Sequence, residues 1–295
     1  MKHLGLTLLT ILAAFGIASA HTPTDSCATE PAAEQSVEIL RPVASAYTLH
    51  LGTSHLRDTY LTPLGYSGWT VGLGYERFQA MKFDPERWIM RLNATVDIAS
   101  DDNPAGTATM WDLDFSPSWA MMRRLCPAPE LTLAIGGIAR GDIGVLYLAR
   151  NSNNPASVKA SVTIGATAMA AYNTHLGRLP ITLRCQPSFD LLGAFFSPDY
   201  DELYYEIWLG NHSGLCHCAW PGSFVHFENL LTADLRFGAT NLRLGYRFNL
   251  QSTKASGIVS RDISHQFVIG ISTEWLSVHS GHRSIADSRL ISAFY

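Results

Sequence analysis

The sequence predicts an all-β fold, a transmembrane antiparallel up-and-down β-barrel of about ten strands (range eight to twelve) with one long extracellular loop. Three observations predict it. Ten segments of about ten residues alternate apolar and polar side chains with period two, as residues on a strand must point to opposite faces. After residue 20 no stretch approaches the ~18 consecutive apolar residues of a helical span, so a crossing must be made by strands. The polar faces hold balanced, Arg-rich charge and the apolar faces hold aromatics near strand ends, the distribution of a narrow lumen inside a girdled wall.

Residues 1–20 read as a signal peptide: Lys2 and His3, an apolar run from Leu4 to Ile17, then Ala18-Ser19-Ala20 as a cleavage site. Residues 21–44, with Pro23, Pro31 and Pro42, read as a weakly ordered leader, and residues 45–278 as the barrel domain. In chain order, the first strand sets Tyr47, Leu49 and Leu51 against Thr48, His50 and Gly52, and the second Trp69, Val71, Leu73 and Tyr75 against Gly72, Gly74 and Glu76. The third, Trp88 to Ile98, is the clearest, with Arg91, Asn93, Thr95 and Asp97 on its polar face. The fourth sets Trp111, Leu113, Phe115 and Trp119 against Asp112, Asp114, Ser116 and Ser118, and the fifth runs from Leu131 to about Arg140. The sixth covers Ala160 to Asn173, the seventh Ile181 to Asp190, the eighth Leu231 to Phe237, the ninth Asn241 to Leu250 and the tenth Phe267 to Trp275.

With the N-terminus in the periplasm, the outward connections are 54–68, 99–107, 141–157, 192–227 and 252–262, and the inward ones 79–87, 122–129, 174–179 and 238–240. Longer outer loops and short inner turns are the bacterial pattern. Residues 279–295 are either a periplasmic tail or a further strand, which would need an extra partner such as 36–41 to keep an even count. The final Phe294-Tyr295 is similar to the terminal aromatic read by the barrel assembly machinery, which joins outer-membrane lipid as an expected partner.

Hydrophobic residues make up 47% of the chain and charged ones 16%, below the usual quarter or so. The net charge of −4 without a basic run excludes nucleic-acid binding as a reading. Alternation alone does not separate a membrane barrel from a soluble sandwich, but the polar-face charges do. Glu76, Asp97, Asp112, Asp114, Asp190, Asp234 and Glu274 are matched by Arg91, Arg140, Lys159, Arg184, Arg236, Arg243 and Arg247, in a chain with only four Lys. Such a set suits a lumen where every buried ion must find a partner.

Ser54-His55-Leu56-Arg57-Asp58-Thr59-Tyr60-Leu61-Thr62-Pro63-Leu64, then Tyr66-Ser67-Gly68 and Tyr75-Glu76-Arg77, resemble the opening of a Bacteroidetes family called domain of unknown function 3316. Asn229 to Leu235, Leu242 to Arg247 and Glu274-Trp275-Leu276-Ser277 resemble its closing strands, so that the likeness covers residues 45–278. It implies an exported outer-membrane protein without an assigned activity, and no catalytic residues.

The densest cluster of reactive side chains is in the longest outer segment, where His212, Cys216, His217, Cys218 and His226 follow Asp199, Asp201, Glu202 and Glu206. Cys216 and Cys218 enclose one residue rather than the two to four of common zinc sites, so the segment reads as an aromatic loop cap carrying Trp208, His212, His217 and Trp220, with no metal or cofactor. Asp112 and Asp114 could activate a water, but read as part of the Arg-compensated network. Ser54-His55 and His279-Ser280 are adjacent, so their side chains diverge on a strand. Five Cys in an exported chain leave at least one thiol unpaired.

The expected function is therefore a structural, interaction or ligand-binding role at the cell surface in the outer membrane, not an enzyme. The alternatives are a small selective channel, whose ion conductance would shift when Arg243 or Arg247 is neutralised, or a surface lipid hydrolase or protease using lumenal or rim Asp and His residues.

Overall fold

The computed structural model describes residues 38–152, 154–200, 202–237, 240–276 and 288–294. The proposed signal peptide and most of the leader lie outside them. The elements in order are β1 (Glu38–Leu40), β2 (Val43–Asp58), β3 (Gly65–Ala80), β4 (Trp88–Asp102), β5 (Thr109–Ala128), β6 (Leu131–Leu148), β7 (Ala156–Leu176), β8 (Leu179–Phe196), α1 (Tyr204–Trp208), β9 (Cys216–Ala219), β10 (Phe224–Phe237), β11 (Thr240–Ala255), β12 (Ile258–Trp275) and β13 (Ser288–Leu290).

Each strand from β2 to β8 pairs antiparallel with the next, β10 to β12 continue the meander, and β12 pairs with β2. Pairing of β10 with β8, Glu228 opposite Ser188 and Leu231 opposite Cys185, closes the sheet into a ten-stranded barrel. Closure removes both sheet edges and pairs the wall strands' backbones with one another, as hydrocarbon requires. The side-chain distribution is inverted relative to a soluble sandwich. Leu73, Leu113, Ile135 and Val162 face outward and are exposed, while Glu76, Arg91, Arg140 and Arg184 are buried inside. That inversion makes the barrel a membrane-spanning one.

Tyr47, Tyr75, Trp119 and Tyr172 lie on the outer face toward one end, and Trp69, Trp111 and Tyr147 toward the other, all exposed or half-buried. Trp69 and Trp111 meet edge to face at 6.2 Å between ring centroids. These are the aromatic belts of a membrane barrel.

The strands run well beyond the sequence expectation, and most of the anticipated loops vanish. Residues 54–58 and 65–68 belong to β2 and β3, 141–148 to β6, 192–196 to β8 and 258–262 to β12, so the connections shrink to 59–64, 103–108, 149–155, 197–223 and 256–257. At the opposite end 81–87 matches 149–155 in length, but the other three connections there, 129–130, 177–178 and 238–239, are two residues each, so the expected asymmetry of longer outer loops and short inner turns holds with 197–223 as its largest part. Alternation is interrupted there by Gly141 and Gly144 on β6 and by Gly193 and the adjacent Leu191-Leu192 and Phe195-Phe196 pairs on β8, yet backbone pairing continues through these residues. Tight turns close several hairpins: Ser256 and Gly257, at φ 47° and 79°, give the β11–β12 turn the positive dihedrals that match strand twist.

The C-terminal segment is neither a free tail nor a wall strand. Residues 288–290 pair in parallel with 38–40 as a separate two-stranded sheet, and Ile291 N donates to Leu40 O at 2.9 Å. Residues 291–294 then turn into the barrel. Arg124 Nη1 donates to Ser292 O at 2.5 Å, Thr132 Oγ1 donates to Phe294 O at 3.2 Å, and Phe294 is buried. The aromatic expected at the end of the last wall strand is instead inside the lumen, and that wall strand ends at Trp275.

The lumen is layered. Leu56, Leu61, Tyr66, Met110 and Leu146 form an apolar cluster at the end carrying 197–223, and Phe78, Ile89, Met122, Met169 and Phe294 form another at the terminal end. Charged and hydroxyl side chains fill the space between them.

Candidate functional site

Period-two alternation aims one residue in two from every wall strand into the middle layer, and the resulting charges form a connected network. On the terminal side, Arg243 donates from Nη1 to Glu76 Oε2 at 2.6 Å and from Nε to Asp234 Oδ1 at 2.8 Å. Arg184 reaches the same two carboxylates at 3.5 and 2.8 Å, and Arg91 Nε stands 3.6 Å from Glu76 Oε1. Further along, Arg247 binds Glu228 at 2.7 Å and Asp97 at 2.8 Å, while Arg140 binds Glu228 at 2.8 Å and flanks Asp190 at 3.5 Å. Lys159 sits among Asp112, Asp114 and Asp262 at 2.7, 3.9 and 3.8 Å. Planar guanidiniums with several donors can serve two carboxylates at once, which explains the Arg bias. Gly72 makes room for this packing, since a Cβ there would collide with the Asp97 carboxylate.

The network joins Glu76, Arg91, Asp112, Asp114, Asp234, Arg243 and Arg247, all anticipated from sequence, into one layer. Two anticipated members lie toward the terminal end. Glu274 is exposed at the end of β12, beyond the layer where solvent reaches it. Arg236 is half-buried near the terminal mouth, donating to Thr182 Oγ1 at 3.1 Å. Asp142, His226, Glu228, Asp262 and Gln266 are members the sequence reading missed. Asp142, His226 and Asp262 had been placed in loops; Glu228 and Gln266 lay just outside the expected strands. The signal that finds them is parity: on β10 His226 and Glu228 share the inward face of Thr232 and Asp234. A bulge opposite Ile164 and Gly165 also switches the inward parity of β8 after Asp190, so that Phe195 points in and Leu191 and Leu192 both point out.

Voids inside the barrel are small. One of about 40 Å³ lies under the loop end beside Asp58, Ser157 and Lys159, one of about 30 Å³ beside Glu76, Arg184 and Phe294, and one of about 20 Å³ beside Asp97, Asp114 and Asp262. Each has room for a water or two.

Segment 197–223 folds over one mouth. Its anchors are Tyr60 and Tyr204 rather than the tryptophans. The Tyr60 hydroxyl donates to Glu202 O at 2.8 Å, Val158 N donates to the Tyr204 hydroxyl at 2.6 Å, and the two rings meet edge to face at 5.7 Å. Burial pushes the Tyr204 phenol up to about 12, with the nearby Tyr60 and Asp58 adding to the effect, and burial likewise raises Tyr60. Glu206 reaches back to accept from Leu203 N at 3.1 Å and so starts α1. β9 then extends the sheet along Gly193–Phe196. Of the expected cap residues, His217 is half-buried, with Nε2 3.1 Å from Ser197 O and its ring on Phe195. Trp208, His212 and Trp220 point away from the mouth; Trp208 is 85% exposed. The structure therefore divides the cap into a seated inner face and an aromatic outer face.

Against solved structures, the chain is similar to the outer membrane protease OmpT from Escherichia coli at 5% identity and a TM-score of 0.44, covering 79% of this chain and 97% of that one. The translocator domain of the autotransporter NalP from Neisseria meningitidis gives 10% identity and 0.34, covering 79% and 88%. The COG4313 outer membrane channel from Pseudomonas putida F1 gives 9% and 0.31, covering 84% and 100%. No curated protein matches the sequence. The family described as protein of unknown function (DUF3316) matches residues 4–282, and the chain belongs to that family.

Proposed function

We propose that this protein is an outer-membrane barrel with a closed lumen, serving as a rigid surface scaffold that presents segment 197–223 to partners outside the cell. The observation that carries the reading is the filled interior. Ion pairs occupy the middle layer and apolar clusters occupy both ends, so the described residues leave only water-sized voids. A diffusion channel needs a continuous polar path, and this lumen spends its charges on one another. The second support is the outer face of the cap. Tyr205, Trp208, Leu209 and Trp220 stand exposed beyond the barrel rim, with Glu206 and no Lys or Arg anywhere in 197–223. Exposed aromatic side chains on a well-anchored loop are the usual makings of a recognition surface.

Native thiols provide the test. Cys216 and Cys218 are exposed at the cap end and Cys126 is exposed at the opposite end of β5. A membrane-impermeant maleimide applied to intact cells is expected to label Cys216 and Cys218 in a chain lacking the other thiols, and to label Cys126 only after lysis. The purified barrel is expected to leave planar bilayers without conductance steps. Labelling of Cys126 on intact cells would invert the orientation, and stable unitary currents would replace the scaffold with a channel.

A further inference from the structure

Three side chains on three strands converge at one wall of the lumen. Asp142 from β6, Asp190 from β8 and His226 from β10 are all buried, and one donor atom from each lies within 4.8 Å of the others. His226 Nε2 is 2.9 Å from Asn249 Oδ1, a carbonyl oxygen that can only accept, so Nε2 carries the hydrogen. That leaves Nδ1 without a hydrogen-bond partner and aimed at Asp190 Oδ2, 3.3 Å away, and Asp142 Oδ2, 3.7 Å away.

Two carboxylates facing one imidazole nitrogen call for positive charge there, which a proton on Nδ1 or a bound cation can supply. Among the described residues, the ion-pair partner of Asp142 is His226, while Arg140 binds Glu228 and flanks the other oxygen of Asp190 at 3.5 Å. A proton on Nδ1 would draw the carboxylate to the roughly 2.7–2.9 Å of a charge-assisted hydrogen bond. The observed separations are longer. The 3.3 Å one lies on, and the 3.7 Å one just beyond, the edge of a tetrahedron around zinc, whose bonds of about 2.0–2.2 Å set ligand atoms about 3.3–3.6 Å apart.

The surroundings are those of a metal site as well. Ser116 and Ser161 donate to the two oxygens of Asp142 at 2.6 and 2.8 Å, and Thr163 donates to Asp190 Oδ2 at 2.7 Å. Asn249 fixes the far nitrogen of the imidazole. Outer partners of this kind hold ligands in orientation and raise their basicity.

We infer that Asp142, Asp190 and His226 bind a zinc-class divalent cation inside the barrel, with a water as fourth ligand, acting as a metal clasp across β6, β8 and β10. The mixed oxygen and imidazole set favours a first-row transition metal over calcium or magnesium. The clasp sits next to the place where β10 meets β8 to close the barrel, so metal binding would favour the closed form.

The test uses the full mature chain with His212→Asn, Cys216→Ser, His217→Asn and Cys218→Ser, which removes the zinc-capable side chains of the cap. Refolded with zinc chloride in detergent and passed through a desalting column, this parent is expected to retain about one zinc per chain. His226→Asn should lose it, and Asn249→Leu should weaken affinity roughly 10–100-fold. Cobalt in place of zinc should give visible ligand-field bands that Asp142→Asn shifts, a readout that does not depend on comparing folding yields. Heat-modifiable mobility shows which variants are folded. A folded parent that takes up no zinc or cobalt, or takes up as much after His226→Asn, overturns the proposal and leaves a shared proton in its place.

Discussion

Arg243 and Glu76 lie on strands β11 and β3, which are not neighbours in the wall, yet Nη1 of one is 2.6 Å from Oε2 of the other. The pair is a strut across the lumen, and Asp234 on β10 joins it at 2.8 Å. Struts of this kind tie strands near the start of the wall to strands near its end, which wall hydrogen bonds also join at the β12–β2 seam.

Removing one end of the strut should cost more than removing both. Arg243→Met strands Glu76 and Asp234 with less compensation, and breaking a buried pair costs about 3–5 kcal/mol. Arg184 and Arg91 still serve Glu76, which places the expectation at the lower end. The double variant Arg243→Met with Glu76→Gln is expected to recover part of the loss. The temperature at which the compact unboiled band disappears on a gel checks this, and additive losses would remove the strut.

Phe294 plugs the terminal end, with its ring 5.1 Å from Phe78 and the Arg184 guanidinium 4.8 Å from its centroid. Phe294→Ala is expected to destabilise the folded barrel by about 3–5 kcal/mol, the usual range for emptying a buried aromatic site. If Phe294 served instead as an outward signal for the assembly machinery, the variant would insert poorly in cells but match the native stability once refolded. Urea unfolding of the refolded protein separates the two.

Arginine placed along β3 should report depth. Leu73, 64% exposed at mid-strand, faces hydrocarbon, and Trp69 lies near the belt. Leu73→Arg is expected to cost about 2–4 kcal/mol in lipid and Trp69→Arg about 0–1 beyond its lost packing on Trp111. Equal costs in reversible unfolding from vesicles would take β3 out of the membrane.

The strand count, the closed barrel and most of the charge layer were legible in the sequence because period two is a local property. Glu76, Arg91, Asp234, Arg243 and Arg247 each sit among apolar neighbours at odd spacing, and alternation alone sends them inward. Asp142 and His226 were hidden although apolar Ile143, Val145 and Tyr147 on β6 and Val225 and Phe227 on β10 alternate around them, because glycines at 141 and 144 interrupt the pattern on β6 and the Cys- and His-rich run before β10 reads as a loop. Glu274 had the right parity and the wrong depth. Phe294 was beyond reach for a different reason. The pairing of residues 38–40 with 288–290 falls within the partner segment 36–41 that the sequence suggested, but it forms a separate sheet, and the seating of Phe294 inside the lumen leaves no local pattern.

The cap should release in alkali, and the sign follows from Tyr204. Its neutral hydroxyl accepts from Val158 N beside the Tyr60 ring, and its ionisation is pushed from 10.0 to about 12. Because the seated state holds the proton longer than a free phenol, seating is fully favoured below pH 10 and is lost as pH rises through about 12. A spin label on Cys218 in an otherwise thiol-free chain is expected to stay immobile through the pH range where ordinary tyrosines ionise, then to gain mobility near pH 12. Tyr204→Phe keeps the ring but loses the acceptor for Val158 N, so its label should be more mobile at neutral pH and show no alkaline step. An alkaline step retained in Tyr204→Phe would assign release to Tyr60 instead, whose hydroxyl is the one that donates to Glu202 O.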